Sequence, residues 1–301
     1  MCPTEPIDPE AVFPATRARG DMIDETIEEI REMQTHSSSV VAIKAARALG
    51  ELTEREYAAI DDFERALEHN AGALRRSNPS HASLHNAMRG ILDAVIGTST
   101  TIEGAMSALD QAIEDVVRGI EEGKRRAAAN AAETFVDGET FLTHDYSSTV
   151  LDAVETAAAA SELTAYVTEA RPRYLGRKTA RELAPFETVD THLVTDGACG
   201  HFLPECDRVV IGMDCIVEDT LYNRIGTFPL VATANQVGVP VTVVGSSTKL
   251  IDEFRFENEV RPATEVMLEP ARGITIENPA YDATPVDLVS EIVTDDGVHE
   301  V

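Results

Sequence analysis

The pattern of hydrophobic and polar positions changes once along the chain, near residue 136. Before that point, apolar residues recur every three or four positions, and Ser or Thr precedes several of the apolar segments, as a helix cap would. The periodicity predicts helices at 22–33, 37–52, 56–76, 83–97 and 102–135. We therefore predict an N-terminal all-helical domain over residues 1–135.

After a turn at 136–140, short segments rich in β-branched residues alternate with helical ones. The predicted strands are 141–144, 164–169, 192–197, 208–214 and 239–247, and the predicted helices are 175–186, 199–205 and 221–238. Strands that are apolar almost throughout are buried on both faces, which is typical of a parallel sheet covered by helices. The fold class predicted for the chain is therefore α/β, with a Rossmann-like doubly wound parallel-sheet domain over residues 136–301.

Polar side chains follow each predicted strand. In an open parallel sheet, the carboxyl ends of the strands meet at one edge, where such folds bind ligands. Polar residues also end strands and cap helices for purely structural reasons, so each position alone leaves both interpretations open. Asp214 is the strongest candidate, because its apolar surroundings in the sequence predict a partly buried carboxylate. The strand-end residues are Asp145, Glu169, Arg171, Asp196, Asp214 and Gly245–Ser247.

The formal net charge of the chain is −28, with only four lysines among its 25 basic residues. Such a charge repels phosphate backbones and anionic lipid, so direct binding to nucleic acid or to a membrane surface is not expected. An acidic, lysine-poor composition suits a halophilic protein, because multimolar salt screens the repulsion. No segment approaches the roughly 20 apolar residues of a membrane span. The first residues lack the basic stretch followed by an apolar stretch that is typical of a signal peptide. We predict a cytoplasmic protein.

The sequence contains no fingerprint for a cofactor. Neither a G-x-G-x-x-G segment after the first strand nor a P-loop is present, so no nucleotide cofactor is predicted. Cys199, Cys206 and Cys215 lack the paired spacing of a zinc site, so no metal is predicted either.

Four segments resemble one protein family. They are 80–92, 166–184, 212–244 (GMDCIVEDTLYNRIGTFPLVATANQVGVPVTVV) and 277–298. This family contains the α, β and δ subunits of translation initiation factor 2B, and two sugar-phosphate isomerases share its superfamily. These are ribose-1,5-bisphosphate isomerase and methylthioribose-1-phosphate isomerase. The resemblance runs from about residue 25 to the end, and it implies a helical domain followed by a Rossmann-like domain.

The resemblance also implies a set of site residues. The isomerases have a catalytic Cys where this chain has Asp145 and a catalytic Asp where it has Asp214, so these two residues are catalytic only if the chain is an isomerase. Two arginines that hold phosphate in the isomerases are replaced by His36 and Asn78, and a Gln is replaced by Leu175. The positions implied to bind a ligand are Arg171, Gly176, Arg177, Asn223, Arg224, His36 and Asn78.

The loss of the thiol, both arginines and the Gln favours a non-catalytic protein resembling the regulatory subunits. Such a protein is expected to form a homo-oligomer, a dimer or a hexamer, through its C-terminal domain. Initiation factor 2 is a candidate partner, and a sugar phosphate is a candidate ligand.

The alternative is an aldose–ketose isomerase of the ribose-1,5-bisphosphate or methylthioribose-1-phosphate type, with Asp145 in place of the thiol. Asp145 and Asp214 more than about 8 Å apart would argue against this pairing, because direct coupling falls off with distance. At least two arginines converging in the cleft would favour it. A third hypothesis is that the protein is a sensor, which binds a sugar phosphate without converting it.

Overall fold

The structure is a computed structural model that describes residues 22–31, 38–251 and 255–301. Its first part is helical, as the periodicity predicted. Apolar side chains on the inner faces of the helices, among them Ile23, Leu49, Phe63, Met88 and Leu109, are at most 1% exposed and form one core. The helices are α1 Met22–Arg31, α2 Ser38–Ala48, α3 Ile60–Ser77, α4 Ala82–Val95 and α5 Ile102–Ala132.

Strands and helices then alternate. The later helices are α6 Ser148–Ala158, α7 Leu175–Leu183, the four-residue α8 Cys199–Phe202 and α9 Thr227–Val237. Short 3₁₀ helices are formed by Leu49–Glu54, Asp196–Ala198, Leu203–Glu205, Ser247–Lys249, Ala263–Glu265 and Val286–Leu288. The strands are β1 Glu139–Thr143, β2 Leu163–Thr168, β3 Val189–Val194, β4 Arg208–Gly212, β5 Cys215–Val217, β6 Thr220–Arg224, β7 Val241–Val244, β8 Leu250–Ile251, β9 Tyr281–Pro285, β10 Glu291–Thr294 and β11 Gly297–Glu300.

The larger sheet has the strand order β11-β10-β7-β4-β1-β2-β3. Six of its strands are parallel, and only β11 pairs antiparallel with its neighbour β10. The α/β fold class with a helical first part and a parallel-dominated sheet is thereby confirmed. The carboxyl ends of β1, β2, β4 and β7 consequently share one edge.

A smaller sheet, β8-β5-β6-β9, was not predicted. The helix predicted over 221–238 was wrong in its first part, where Thr220–Arg224 forms β6 and the helix begins only at Thr227. Alternating side chains of β6 are buried against β5 and β9, and Gly226 adopts a left-handed conformation (φ +102°) that ends the strand. Asp282 accepts hydrogen bonds from the backbone N–H groups of Gly226 and Phe228 and so holds the start of α9. This β5–β6 hairpin carries Asn223 and Arg224 to the carboxyl edge of the larger sheet.

No helix in the described parts of the chain combines the length and the apolar character needed to cross a membrane.

Candidate functional site

Two buried carboxylates lie at the carboxyl edge of the larger sheet. Asp145 follows β1, and Asp214 follows β4; each is 7% exposed. Asp145 adopts a left-handed backbone conformation (φ +63°), which aspartate tolerates better than most residues, and its carbonyl accepts a hydrogen bond from Thr179 Oγ1 (2.7 Å). The backbone N–H of Asp214 donates to the carbonyl of Tyr222 (3.1 Å), which ties the end of β4 to the hairpin.

Arg224 lies between the two carboxylates. Its Nε atom is 3.5 Å from Asp145 Oδ2 and 3.8 Å from Asp214 Oδ2. The two Oδ2 atoms are therefore no farther apart than the sum of these distances, 7.3 Å. The guanidinium group also lies 4.7 Å from the centroid of the Tyr281 ring. A single cation thus bridges the two carboxylates in a buried setting, within the separation that direct coupling requires.

Asp145 differs from an ordinary surface aspartate in its protonation. Burial raises the pKa of its carboxyl group above the usual value, and the negative charge of Asp214 acts in the same direction. Arg224 and a hydrogen bond from the backbone N–H of Tyr146 oppose the rise in this pKa. Asp145 therefore retains its proton to a higher pH than an unperturbed aspartate.

These residues line an open cleft, here called the carboxyl-edge cavity, with about 450 Å³ of space including solvent at its mouth. Ser38 and Ser39, at the start of α2, and Ser147–Thr149, at the start of α6, also line it. Backbone N–H groups in the first turn of a helix lack intrahelical partners, and the helix dipole adds positive potential there, so both helix ends favour an anion. The cavity lining is Ser38, Ser39, His144–Thr149, Gly212–Asp214, Asn223, Arg224 and Lys249.

Lys249 adds a cation to this cavity. Its side chain is buried, and Nζ donates a hydrogen bond to the carbonyl of Met213 (2.7 Å). Burial lowers the pKa of Lys249, while the charge of Asp214 opposes that change. The cavity therefore combines Arg224, Lys249 and two helix N-termini with two carboxylates, so it offers both proton transfer and anion binding.

A second open cleft, here called the arginine cavity, adjoins the first and has about 330 Å³ of space including solvent at its mouth. Among the described residues, Asp145 and Arg224 alone line both cavities. The lining of the arginine cavity is Asp145, Ala170–Arg173, Leu175, Arg224, Ile225, Arg261, Glu265 and Asn278–Ala280. Four arginines therefore converge next to the buried carboxylate pair.

The structure brings together some of the residues predicted from the sequence and separates others. Asp145, Asp214, Asn223 and Arg224 line the carboxyl-edge cavity, and Arg171 lines the arginine cavity. His36 lies outside the described residues.

Two further candidates line neither cavity. Asn78 is buried and accepts a hydrogen bond from Ser80 Oγ (2.6 Å). Arg177 pairs with Glu169 and lies over the ring of Tyr174, 3.8 Å from its centroid. Their binding roles remain predictions.

Gly176, another candidate, packs where a side chain has no room. A Cβ atom at this position would lie 1.7 Å from the carbonyl oxygen of Thr168, at the end of β2. We expect Gly176→Ala to lower the free energy of unfolding by about 3 kcal/mol, because backbone would have to move. Urea denaturation measures this change.

The matched control is Gly119→Ala, in the interior of α5, where an added Cβ meets no atom within 4 Å. This substitution should raise stability by about 0.5–1 kcal/mol through helix propensity. Equal stability of Gly176→Ala and the wild-type protein would contradict the assigned contact between β2 and α7.

Sequence reasoning missed several residues at the site. Lys249, from a 3₁₀ turn, and Arg173 and Arg261, from loops, carry charge into the two cavities. A signal existed for two of them, because Arg173 lies within the family-like segment 166–184 and Lys249 follows the end of β7 by five residues, whereas nothing in the sequence marked Arg261. Among the described residues, no group of three or more His, Cys, Asp or Glu side chains has the arrangement of a metal site.

Comparison with known proteins defines the class to which this fold and site belong. The model of the initiation factor 2 subunit family matches residues 34–301, and the chain belongs to that family. It is similar to the ribose 1,5-bisphosphate isomerase of Haloterrigena turkmenica, with 34% identity over 90% of this chain and 88% of the relative. It is also similar to that of Thermococcus kodakarensis, with 28% identity over 91% of this chain and 89% of the relative.

A solved structure of Pyrococcus horikoshii translation initiation factor eIF-2B has the same fold. It superposes with a TM-score of 0.78 at 28% identity, covering 92% of this chain and 96% of that one. Both branches of the superfamily suggested by the sequence motifs are thus represented among the relatives.

The expectation of a non-catalytic protein was wrong. Relatives named ribose 1,5-bisphosphate isomerase match about nine-tenths of the chain at 28–34% identity, which favours the alternative, an enzyme. The error came from treating each substituted position separately. The Cys and the two arginines are absent from their usual positions, but a bridged carboxylate pair and other cations lie at the same edge of the sheet.

Proposed function

We propose that this protein is an aldose–ketose sugar-phosphate isomerase of the ribose-1,5-bisphosphate type. The observation that carries the proposal is the pair of buried carboxylates, Asp145 and Asp214, bridged by Arg224 inside a cavity built to hold an anion. The similarity to relatives named for this activity supports the same substrate class.

Isomerisation between an aldose phosphate and a ketose phosphate moves a proton between adjacent carbons, so one group must accept a proton while another supplies one. Two carboxylates in contact with one cation suit these opposite roles when their environments differ. The raised pKa of Asp145 fits the group that holds the proton, and Asp214 is then the accepting carboxylate. Arg224 limits the repulsion between the two groups and is placed to stabilise negative charge that develops on the sugar oxygens.

Binding of a phosphate does not require the two missing arginines. The N-termini of α2 and α6 and the ammonium group of Lys249 line the cavity together, and Ser147 Oγ accepts a hydrogen bond from the backbone N–H of Val150 (3.3 Å). Ser147 thus acts as the cap of α6, while the remaining N–H groups of its first turn are available to an anion.

An isomerisation assay followed by NMR tests the proposal. Ribose 1,5-bisphosphate and methylthioribose 1-phosphate are incubated separately with the protein in multimolar KCl, together with a matched Asp214→Asn protein. We expect the wild-type protein to convert the bisphosphate to the ketose and Asp214→Asn to be slower by about 100-fold or more, because the accepting carboxylate is lost. No conversion of either substrate by folded wild-type protein would contradict the proposal.

Other proposals concern the whole molecule. We propose two domains, over residues 1–135 and 136–301, and a homo-oligomer, a dimer or a hexamer, formed through the second. Adaptation to a salt-rich cytoplasm is proposed from the net charge of −28. Initiation factor 2 remains a candidate partner, and size-exclusion chromatography at high salt, with and without that factor, tests the assembly.

A further inference from the structure

The imidazole of His144 joins two parts of the protein that carry the candidate site. His144 directly follows β1 and is 3% exposed. Its Nδ1 atom lies 2.6 Å from the hydroxyl oxygen of Thr168, at the end of β2. Its Nε2 atom lies 2.9 Å from the carbonyl oxygen of Ile225. The side chain therefore connects the larger sheet to residues 224–226, here called the Arg224 turn.

The partners of the two ring nitrogens determine where the imidazole carries its hydrogen. A carbonyl oxygen only accepts hydrogen bonds, so the nitrogen that faces Ile225 must donate one. In the neutral imidazole, Nδ1 is then an acceptor and receives the hydroxyl hydrogen of Thr168. Both nitrogens are thereby engaged, so His144 has no free polar atom for a ligand, although it lines the carboxyl-edge cavity. A role of His144 in the reaction must act through its neighbours.

The backbone of the Arg224 turn is also held from the side of the smaller sheet. The carbonyl of Arg224 accepts a hydrogen bond from Thr227 Oγ1 (2.6 Å), at the start of α9. The N–H group of Ile225 donates to the carbonyl of Ala280 (3.0 Å), next to β9. Because His144 bonds to the same turn from the end of β1, the turn is fixed relative to both sheets.

The imidazole also packs against the backbone of the turn. A Cβ atom at Gly226 would lie 2.7 Å from both Cε1 and Nε2 of His144. Interiors are packed this closely only where neighbouring groups cannot shift independently. The Arg224 turn therefore cannot move toward β1 without displacing the ring of His144.

The position of the turn sets the charge beside Asp145. Arg224 Nε lies 3.5 Å from Asp145 and 3.8 Å from Asp214, and the attraction in each pair weakens as the distance grows. The bond from the N–H of Asp214 to the carbonyl of Tyr222 holds the β5–β6 hairpin beside Asp214, and His144 holds it beside Asp145. Misplacement of a group at a reacting centre by about 1 Å can cost about 100-fold in rate.

We propose that His144 is a positioning residue of the isomerase site, which holds the Arg224 turn against the end of β1 and so keeps the guanidinium group of Arg224 beside Asp145. The proposal rests on the proposed function only for its kinetic consequence, because the contact itself can be measured without turnover.

His144→Phe and His144→Gln test the proposal as a pair. Phenylalanine keeps a ring but removes both hydrogen bonds, whereas the amide of glutamine can still donate to the carbonyl of Ile225. We expect His144→Phe to lower kcat about 10- to 100-fold, and His144→Gln to stay within about fivefold of the wild-type protein. His69→Gln, at an exposed position of α3, is the matched control and should behave like the wild-type protein.

The pKa of Asp145, followed by ¹³C NMR of its carboxyl group, shows whether the effect passes through Arg224. Burial and the charge of Asp214 raise this pKa, while Arg224 and His144 lower it, and the charge of Arg173 also acts on Asp145. A displaced guanidinium group should let the pKa of Asp145 rise further in His144→Phe. The pKa should stay near the wild-type value in His144→Gln, which keeps the bond to the turn. An equal rise in both variants would overturn the proposal, because the imidazole would then act on Asp145 directly.

The position of the hydrogen on His144 is measured in the wild-type protein. ¹⁵N NMR of the histidine side chains, with the His144 signals assigned by their absence from His144→Gln, should show a hydrogen on Nε2. An unprotonated Nε2 would overturn the proposal, because no bond to Ile225 could form, and this result does not depend on the folding of His144→Phe.

Two further outcomes decide between the positioning role and the proposed function. Equal losses of kcat in His144→Phe and His144→Gln, or an unchanged pKa of Asp145 in His144→Phe, would overturn the positioning role while leaving the isomerase activity in place. Wild-type protein without turnover, but with the expected NMR results, would contradict the proposed function and support the contact between His144 and the Arg224 turn.

Discussion

Asp145→Asn is expected to lower kcat for isomerisation of the sugar phosphate about 100- to 10,000-fold, because the substitution removes the carboxyl group that holds a proton beside the substrate. Asparagine preserves the size of the side chain and tolerates the left-handed backbone at this position (φ +63°). The thermal unfolding midpoint should therefore stay close to that of the wild-type protein, which separates a chemical effect from misfolding.

The pH dependence follows from the sign of the pKa change at Asp145. Burial raises this pKa, so the protonated, proton-donating form persists at pH values at which an ordinary aspartate is ionised. Activity that needs the proton should fall as the pH rises through the raised pKa, giving an alkaline limb in the profile of kcat against pH. Asp145→Asn should lack that limb in its residual activity.

Asp145→Cys provides a second comparison at the same position, because the isomerases that this chain resembles carry a thiol there. Activity in Asp145→Cys but not in Asp145→Asn would indicate that the position needs a group able to transfer a proton. Wild-type kcat in Asp145→Asn would show that the reaction does not use this carboxyl group.

The second large effect is expected on protein stability, when Arg208 is substituted. This residue lies at the edge of the larger sheet where the parallel strands begin, opposite the candidate site. Arg208, Glu139 and Glu291 are the first residues of β4, β1 and β10. Arg208 is 8% exposed, donates hydrogen bonds to Glu139 and pairs with Glu291 at 3.4 Å. Its guanidinium group also lies 4.4 Å from the centroid of the Phe135 ring.

We expect Arg208→Met to lower the free energy of unfolding by about 3–5 kcal/mol, because it leaves the buried carboxylate of Glu139 without a counter-charge. Urea denaturation at low and at multimolar KCl measures the loss. The loss should persist at high salt, since a buried pair is screened far less than an exposed one.

Two variants control this experiment. Arg47→Met removes an exposed ion pair with Glu121 (3.5 Å) and should cost less than about 1 kcal/mol. Adding Glu139→Gln to Arg208→Met removes the uncompensated charge and should restore part of the stability. A loss of less than about 1 kcal/mol in Arg208→Met would mean that the contacts of Arg208 with Glu139 and Glu291 contribute little to the free energy of unfolding.

The wrong expectation about catalysis shows where a position-by-position comparison fails. Asn78 and Asp145 stand where the isomerases have Arg and Cys, and each change considered alone removes a functional group. Asp145, however, brings a carboxyl group within 3.5 Å of Arg224, and Lys249 and two helix N-termini line the same cavity. A charge lost at one position can be supplied from another segment, because an anion responds to the summed field at its location.

The amino-acid sequence by itself determined the helices of the first part, the central strands of the larger sheet and the edge of that sheet at which the candidate site lies. Helical periodicity marked α1 to α5, apolar runs marked the central strands, and the polar residues after them marked Asp145 and Asp214, because these are local patterns. Only the tertiary structure decided that Thr220–Arg224 forms a strand and that residues from 171, 224 and 261 share one cavity. Strand pairing and convergence of charges depend on contacts between segments far apart in the chain, and no local pattern encodes those contacts.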